Sequence, residues 1–350
     1  MKIKFFFAVV TVGLCARYFS TNSWNCDNPT LDPIRKGKLL EQAESDLSPP
    51  FSSRFSLANY KIPESYNMSR LPSKRIPFVF FHQRKAGGTS TRHLLVKWAH
   101  ENQLKAWIPC FPTTGANEST TPTPCETYVT PHKRDDEYPE LYAGHLFFSS
   151  FIRTLVVGHL GEGISEADMK PPKHNNYTCF TSFREPISRI QSCYNFRFIQ
   201  QASNTTKPKQ FSELTPEEVS TYLVTGRSRY GEGCLNEPMR MFSDYGMNED
   251  TVNNLHAQPD AVINHALRQT ITRAGTCIVG IMERCDDTQK ALMKHMPSVA
   301  PFFRCSLHRK RGRVKKGTLD GKQSEAVAEA AKYEAEIYKL ANKILDLQMQ

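Results

Sequence analysis

One stretch constrains this chain more than any other: Phe78-Val-Phe-Phe-His-Gln-Arg-Lys-Ala-Gly-Gly-Thr-Ser-Thr. Ile76 to Phe81 is a short apolar run that reads as a buried strand, despite Pro77 near its start. Thr89 to Asn102 reads as an amphipathic helix carrying Leu94, Leu95, Trp98 and Ala99. Between them lies a turn holding Lys85, Ala86, Gly87 and Gly88. Glycines let a backbone approach an anion closely, and a helix N-terminus offers unpaired N–H groups at its positive dipole end. Thr89, Ser90 and Thr91 add hydroxyls, and Lys85 adds charge. The turn therefore reads as a phosphate cradle. It is not a Walker A loop, because the lysine precedes the glycines. A plainer reading also fits, a Gly-Gly strand-to-helix turn with a threonine cap.

A second segment has a related logic. Cys179-Phe-Thr-Ser-Phe-Arg-Glu-Pro-Ile-Ser-Arg-Ile-Gln-Ser-Cys-Tyr-Asn-Phe reads as a strand, an arginine at its end, and a helix opened by Pro186. Arg184 can hold a phosphate bidentately, and Ser192, two turns into the helix, can add a hydroxyl. Otherwise Arg184 is a surface ion pair with Glu185 or a neighbour. Further along, 260–274 reads as a helix, 276–281 as a strand, 283–296 as a helix and 324–349 as one long helix. Strand and helix alternate with no internal repeat. That predicts the α/β class, with a mostly parallel sheet flanked by helices. In such sheets ligands bind beyond the carboxyl ends of the strands, so the two segments can meet at one site.

The N-terminus bears on compartment. Met1 to Lys4 is short and basic, and Phe5 to Ala16 is mostly apolar. Twelve helical residues rise only about 18 Å, short of a hydrocarbon core of about 30 Å. A cleaved signal peptide fits, and so does an uncleaved signal-anchor over residues 1–19. The anchor is favoured because no small-x-small cleavage site follows. Residues 20–74 are rich in Ser, Pro, Asn and charge and read as a stem or linker, or as chain packed loosely on the domain. The domain is then 75–350. Of ten cysteines, nine lie beyond the apolar run, with no C-x-x-C pair and no zinc-ligand spacing. Disulfides are expected, with Cys110–Cys125 and Cys285–Cys305 as candidate pairs and one thiol left over. Sequons at Asn67, Asn117, Asn176 and Asn204 agree with a lumenal location.

Together, Lys85-Ala-Gly-Gly-Thr-Ser and Arg184-Glu-Pro-Ile-Ser-Arg-Ile-Gln-Ser192-Cys-Tyr resemble the sulfotransferase superfamily. The nearest group is the lumenal heparan sulfate and uronyl 2-O-sulfotransferases. Gly158-His159, Val279-Gly-Ile-Met-Glu-Arg, Pro301-Phe-Phe and the basic stretch before the last helix add looser matches over roughly 76–345. Arg84 stands where the family usually has Pro, and Glu185 where Asp or Asn is commoner.

The resemblance implies a P-loop-like three-layer sandwich that uses 3′-phosphoadenosine-5′-phosphosulfate (PAPS) and no metal. It implies that Lys85, Ala86, Gly87, Gly88, Thr89 and Ser90 hold the 5′-phosphosulfate. Arg184 and Ser192 hold the 3′-phosphate, and Lys315, Lys316 and Lys322 reach the donor from the basic loop. Sulfuryl transfer is an in-line displacement governed by positioning and charge stabilisation. Lys85 would stabilise the leaving phosphate, and a histidine would take the acceptor proton. His159 is favoured by its Gly-His context, His145 in Ala-Gly-His is the runner-up, and His82 lies near enough to Lys85 to touch donor or acceptor.

Charge separates the remaining classes. The net charge is +10, yet residues 76–305 are nearly neutral and 306–323 hold seven basic groups against one acidic. A diffuse nucleic-acid-binding surface does not match that distribution. A mean hydropathy of −0.50 excludes a multi-span membrane protein. The expectation is a Golgi-membrane, single-pass type II enzyme, lumenal or secreted, acting on an acidic or neutral polysaccharide. Alternatives are a non-catalytic glycan-binding protein on the same fold and a protein-tyrosine sulfotransferase.

Overall fold

A computed structural model describes residues 51, 55–58, 60–62, 71–74, 76–109, 139–152, 177–196, 209–225, 233–246, 248–303 and 318–350. The apolar run before the glycine turn forms β1 (Phe78–Phe81), with all four side chains buried. Burial of both faces is what a central parallel strand requires, and it explains a continuous apolar run in place of alternation. Helix α1 (Gly88–Glu101) follows, then the two-residue β2 (Ala106–Trp107) and β3 (Leu141–Gly144). Next come β4 (Thr178–Phe183) and α2 (Pro186–Tyr194), then α3 (Pro216–Thr225) and α4 (Glu237–Phe242). Helix α5 (Asp260–Ala274), β5 (Ile278–Ile281) and α6 (Cys285–His295) precede α7 (Gly321–Ala330) and α8 (Lys332–Met349).

The five strands form one parallel sheet in the order β2-β3-β1-β4-β5. After β1 the chain first builds β2 and β3 on one side, then crosses to β4 on the other. The strand order reverses beside β1, so its carboxyl end is the topological switch point where α/β sheets bind ligands. The chain is an α/β protein, with helices packed about a parallel sheet.

One segment differs from expectation. The long C-terminal helix is two helices, broken at Ala331 (φ −95°, ψ 8°). Val327 and Ala331 pack into a small apolar cluster with Ile190, Phe211, Val219 and Leu223. Ile337, Leu340, Ala341, Ile344 and Leu345 instead join the main core against the sheet. One straight helix cannot direct its apolar stripe at both clusters, so the chain turns between them. Within 20–74, Phe51, Phe55, Leu57, Tyr60 and Ile62 touch the main core. Tyr60 donates to the Gly275 carbonyl (3.1 Å) and accepts from Gln348 Nε2 (2.7 Å). Gln348 in turn donates to the Cys277 carbonyl and accepts from the Val279 amide, both at 2.9 Å. A side-chain amide thereby satisfies the open edge of β5.

Cys179 pairs with Cys277 and Cys193 with Cys234, and Cys285 is also disulfide-bonded. Cys110, Cys125 and Cys305 lie outside the described residues. These bonds point to an oxidising, lumenal or secreted environment. Cys179–Cys277 staples β4 to the residue that leads into β5, across a separation of 98 residues. Replacing both cysteines with alanine should cost about 2–4 kcal/mol, through the denatured-state entropy the crosslink removes. Urea unfolding of the variant against the oxidised parent measures this, and an unchanged midpoint contradicts it. Among the described residues no helix is long and apolar enough to cross a membrane. The expected leader, 1–19, lies outside them.

Candidate functional site

The site grows from the turn after β1. His82 extends the ladder by donating its backbone N–H to the Gly144 carbonyl (2.9 Å). The chain then turns through Arg84–Gly87. Lys85 adopts the left-handed region (φ 63°), and Gly87, at the cap of α1, does the same (φ 81°). A lysine there is disfavoured by about 1 kcal/mol or more and persists only where its surroundings determine it. Gly88 is required for another reason. A β-carbon on it would fall 1.5 Å from the His82 ring, so α1 begins directly against that imidazole.

Neighbouring strands lock the turn. Ser182 at the end of β4 donates to the Ala86 carbonyl (2.8 Å), and Thr181 donates to the Phe81 carbonyl (3.0 Å). Arg184 Nη1 donates to the Lys85 carbonyl (3.0 Å), so the two cations expected to bind phosphates meet on one loop. The Lys85 ammonium lies 3.9 Å from the centroid of the Phe196 ring. Ser192, half-buried on α2, sits one helical turn before Phe196. Residues four apart share a helix face, so Ser192 belongs to the face whose end reaches the loop. Helix α1 has no side-chain cap and no acidic residue in its first turn. Its first N–H groups are the orphan donors every helix leaves, here at the carboxyl edge of the sheet. Ser90 is buried, and the Thr91 hydroxyl leans back to the Gly87 carbonyl (3.5 Å).

Glu185 caps α2, accepting from Ile187 (2.9 Å) and Ser188 (2.7 Å) amides. The ionic neighbour of Arg184 is Glu283, whose Oε1 lies 4.0 Å from Arg184 Nε. Glu283 also accepts from the Glu185 amide (3.2 Å) and the Tyr338 hydroxyl (3.0 Å). Burial pushes the Tyr338 hydroxyl up to about 12, with the Glu283 carboxylate adding to the effect.

Arg84 turns inward. It is 1% exposed and grips Glu237 with a two-toothed fork, Nε to Oε1 and Nη2 to Oε2, both at 2.7 Å. The Arg84 amide donates to the same carboxylate (3.1 Å), and Arg240 Nε lies 3.7 Å from it. Nearby Arg189 forks onto the buried Glu334 of α8 and donates to the Cys234 carbonyl (2.5 Å). Burial opposes ionisation of Glu237, but the Arg84 guanidinium outweighs it and holds the carboxyl far below its ordinary range.

His145 follows β3 on the other side of β1. Its ring stacks on His82 at 4.2 Å, and both are buried. Burial first, then cationic neighbours such as Arg92 and Arg84, push both imidazoles well below 6.5. Both are therefore neutral at pH 7. His145 Nδ1 lies 2.7 Å from the His82 carbonyl, which can only accept. Nδ1 thus carries the proton and the lone pair falls on Nε2, which is itself buried. His159, Lys315 and Lys316 lie outside the described residues, as does the Thr89 side chain. Among the described residues no group of three or more His, Cys, Asp or Glu could hold a metal ion.

Sequence reasoning missed Phe196, Ser182 and Glu237. Only Phe196 had a local signal, its four-residue spacing from Ser192. No protein-family model matches this chain, and no curated protein matches it.

Proposed function

We propose that this chain is a sulfotransferase that moves a sulfuryl group from PAPS to a hydroxyl of a glycan. The contact between Arg184 and the Lys85 carbonyl carries this reading. It joins the two segments whose sequences suggested separate phosphates, at the edge of the sheet where anions are bound. The uncapped start of α1, free of acidic residues, fits an anionic donor.

PAPS supplies the sulfuryl group and leaves as adenosine 3′,5′-bisphosphate. The Gly87–Gly88 turn cradles the 5′-phosphosulfate, and Lys85 offsets charge developing on the leaving phosphate. Arg184 and Ser192 hold the 3′-phosphate. A histidine takes the proton from the acceptor hydroxyl. His145 has the tautomer for this role, and His159 keeps its claim from sequence context. The same reading includes the P-loop-like layering, donor contacts from Lys315 and Lys316, and a Golgi membrane location with residues 1–19 as anchor.

The test is transfer of labelled sulfate from PAPS to a panel of desulfated polysaccharides, with release of adenosine 3′,5′-bisphosphate followed in parallel. Transfer to tyrosine peptides alone moves the assignment to a protein sulfotransferase. No release with any acceptor overturns it. Arg184→Ala should weaken binding of adenosine 3′,5′-bisphosphate roughly 10- to 100-fold, the worth of a charge-assisted contact. Unchanged calorimetric affinity removes Arg184 from the 3′-phosphate site.

A further inference from the structure

We propose that Phe196 is the positioning residue for Lys85, holding its ammonium on the ring face toward the anion-binding loop. This rests on reading that loop as the donor site. The ammonium stands 3.9 Å from the ring centroid, well inside the range of a cation–π contact. Phe196 is half-buried, which strengthens the attraction by thinning the water between cation and ring.

Both partners are held from behind. Lys85 has its backbone fixed at φ 63° and its carbonyl clamped by Arg184. Phe196 follows three anchored residues. Cys193 is disulfide-bonded to Cys234, and Tyr194 packs on Phe211 with ring centroids 5.1 Å apart. Asn195 accepts from the Phe211 amide at 3.0 Å. Two rigid elements thus converge on a side chain with four rotatable bonds. A free lysine pays a large share of its rotamer entropy each time it must be placed, and a fixed ring removes much of that cost.

The chemistry of the contact matters as much as its geometry. A carboxylate would also hold the ammonium, but it would cancel its charge and repel a phosphosulfate. The ring's quadrupole holds the cation without neutralising it.

The experiment replaces Phe196 with mono-, di- and trifluorophenylalanine, which drain the ring face in steps while keeping its shape. Two quantities are read: kcat and KM for PAPS transfer, and the rate at which a water-soluble acylating reagent labels Lys85, located by peptide mass spectrometry. Expected is a graded fall in kcat reaching about 10-fold, with KM changing less, and faster labelling at each step. Phe196→Leu should behave like the trifluoro variant, and Phe196→Tyr should keep most of the activity. A flat kcat series, or labelling that does not change, overturns the proposal. If the parent transfers no sulfate, the transferase reading fails separately, and the labelling series alone decides the role of Phe196.

Discussion

Glu237→Ala should lower the unfolding free energy by about 3–5 kcal/mol, the cost of leaving buried charge without its partner. Glu237 is fully buried and receives three hydrogen bonds from Arg84, with Arg240 close by. Alanine strands both guanidiniums in a low-dielectric interior. Glu237→Gln keeps the shape and one acceptor oxygen, so its loss should be smaller. Acid should act in the same direction. The folded carboxyl is held below its ordinary 4.5, so its contribution is complete above that pH and fades as pH falls beneath it. Urea unfolding between pH 7 and pH 3 measures both effects. The parent should lose stability on acidification, and Glu237→Ala should lack that component. An alanine variant within about 1 kcal/mol of the parent at pH 7 contradicts the account. The effect also reaches the site. The Arg84 amide that Glu237 holds opens the turn carrying Lys85, so donor affinity should fall with stability.

Lys85→Ala should reduce transfer on the order of 10²- to 10³-fold, the usual loss when one stabiliser of developing charge is removed. Its thermal midpoint should stay near that of the parent, because the half-buried side chain carries little of the core. Lys85→Gly separates function from folding more sharply. Glycine relieves the left-handed backbone at φ 63°, so this variant should be at least as stable as the alanine variant, yet equally inactive. A Lys85→Gly enzyme that turns over normally would falsify the role given to Lys85.

Much of the site was legible because its signals are local. A four-residue apolar run, two glycines and a periodic helix mark the turn within 25 consecutive residues, 78–102. The Arg184 segment is legible for the same reason, since its proline marks the helix start. The expected helix at 260–274 matches α5 at both ends. β2 and β3 were not legible. They are two and four residues long and carry no alternation, and they exist because β1 offers β3 a ladder and β3 offers one to β2. The break at Ala331 was also hidden, because alanine-rich helix propensity runs unbroken through it. Tertiary packing on two separate clusters overrides that propensity.

Sequence alone thus determined the class of fold and the place of the two strand-to-helix turns, because backbone freedom, apolar runs and helix starts are properties of neighbouring residues. Only the tertiary structure decided which charges face the loop and which face inward. Arg84 and Lys85 are adjacent, but Arg84 turns to a carboxylate 153 residues away while Lys85 meets a phenylalanine across the turn. Electrostatic pairing acts through space, so no local pattern distinguishes a buried clamp from a candidate catalytic cation beside it.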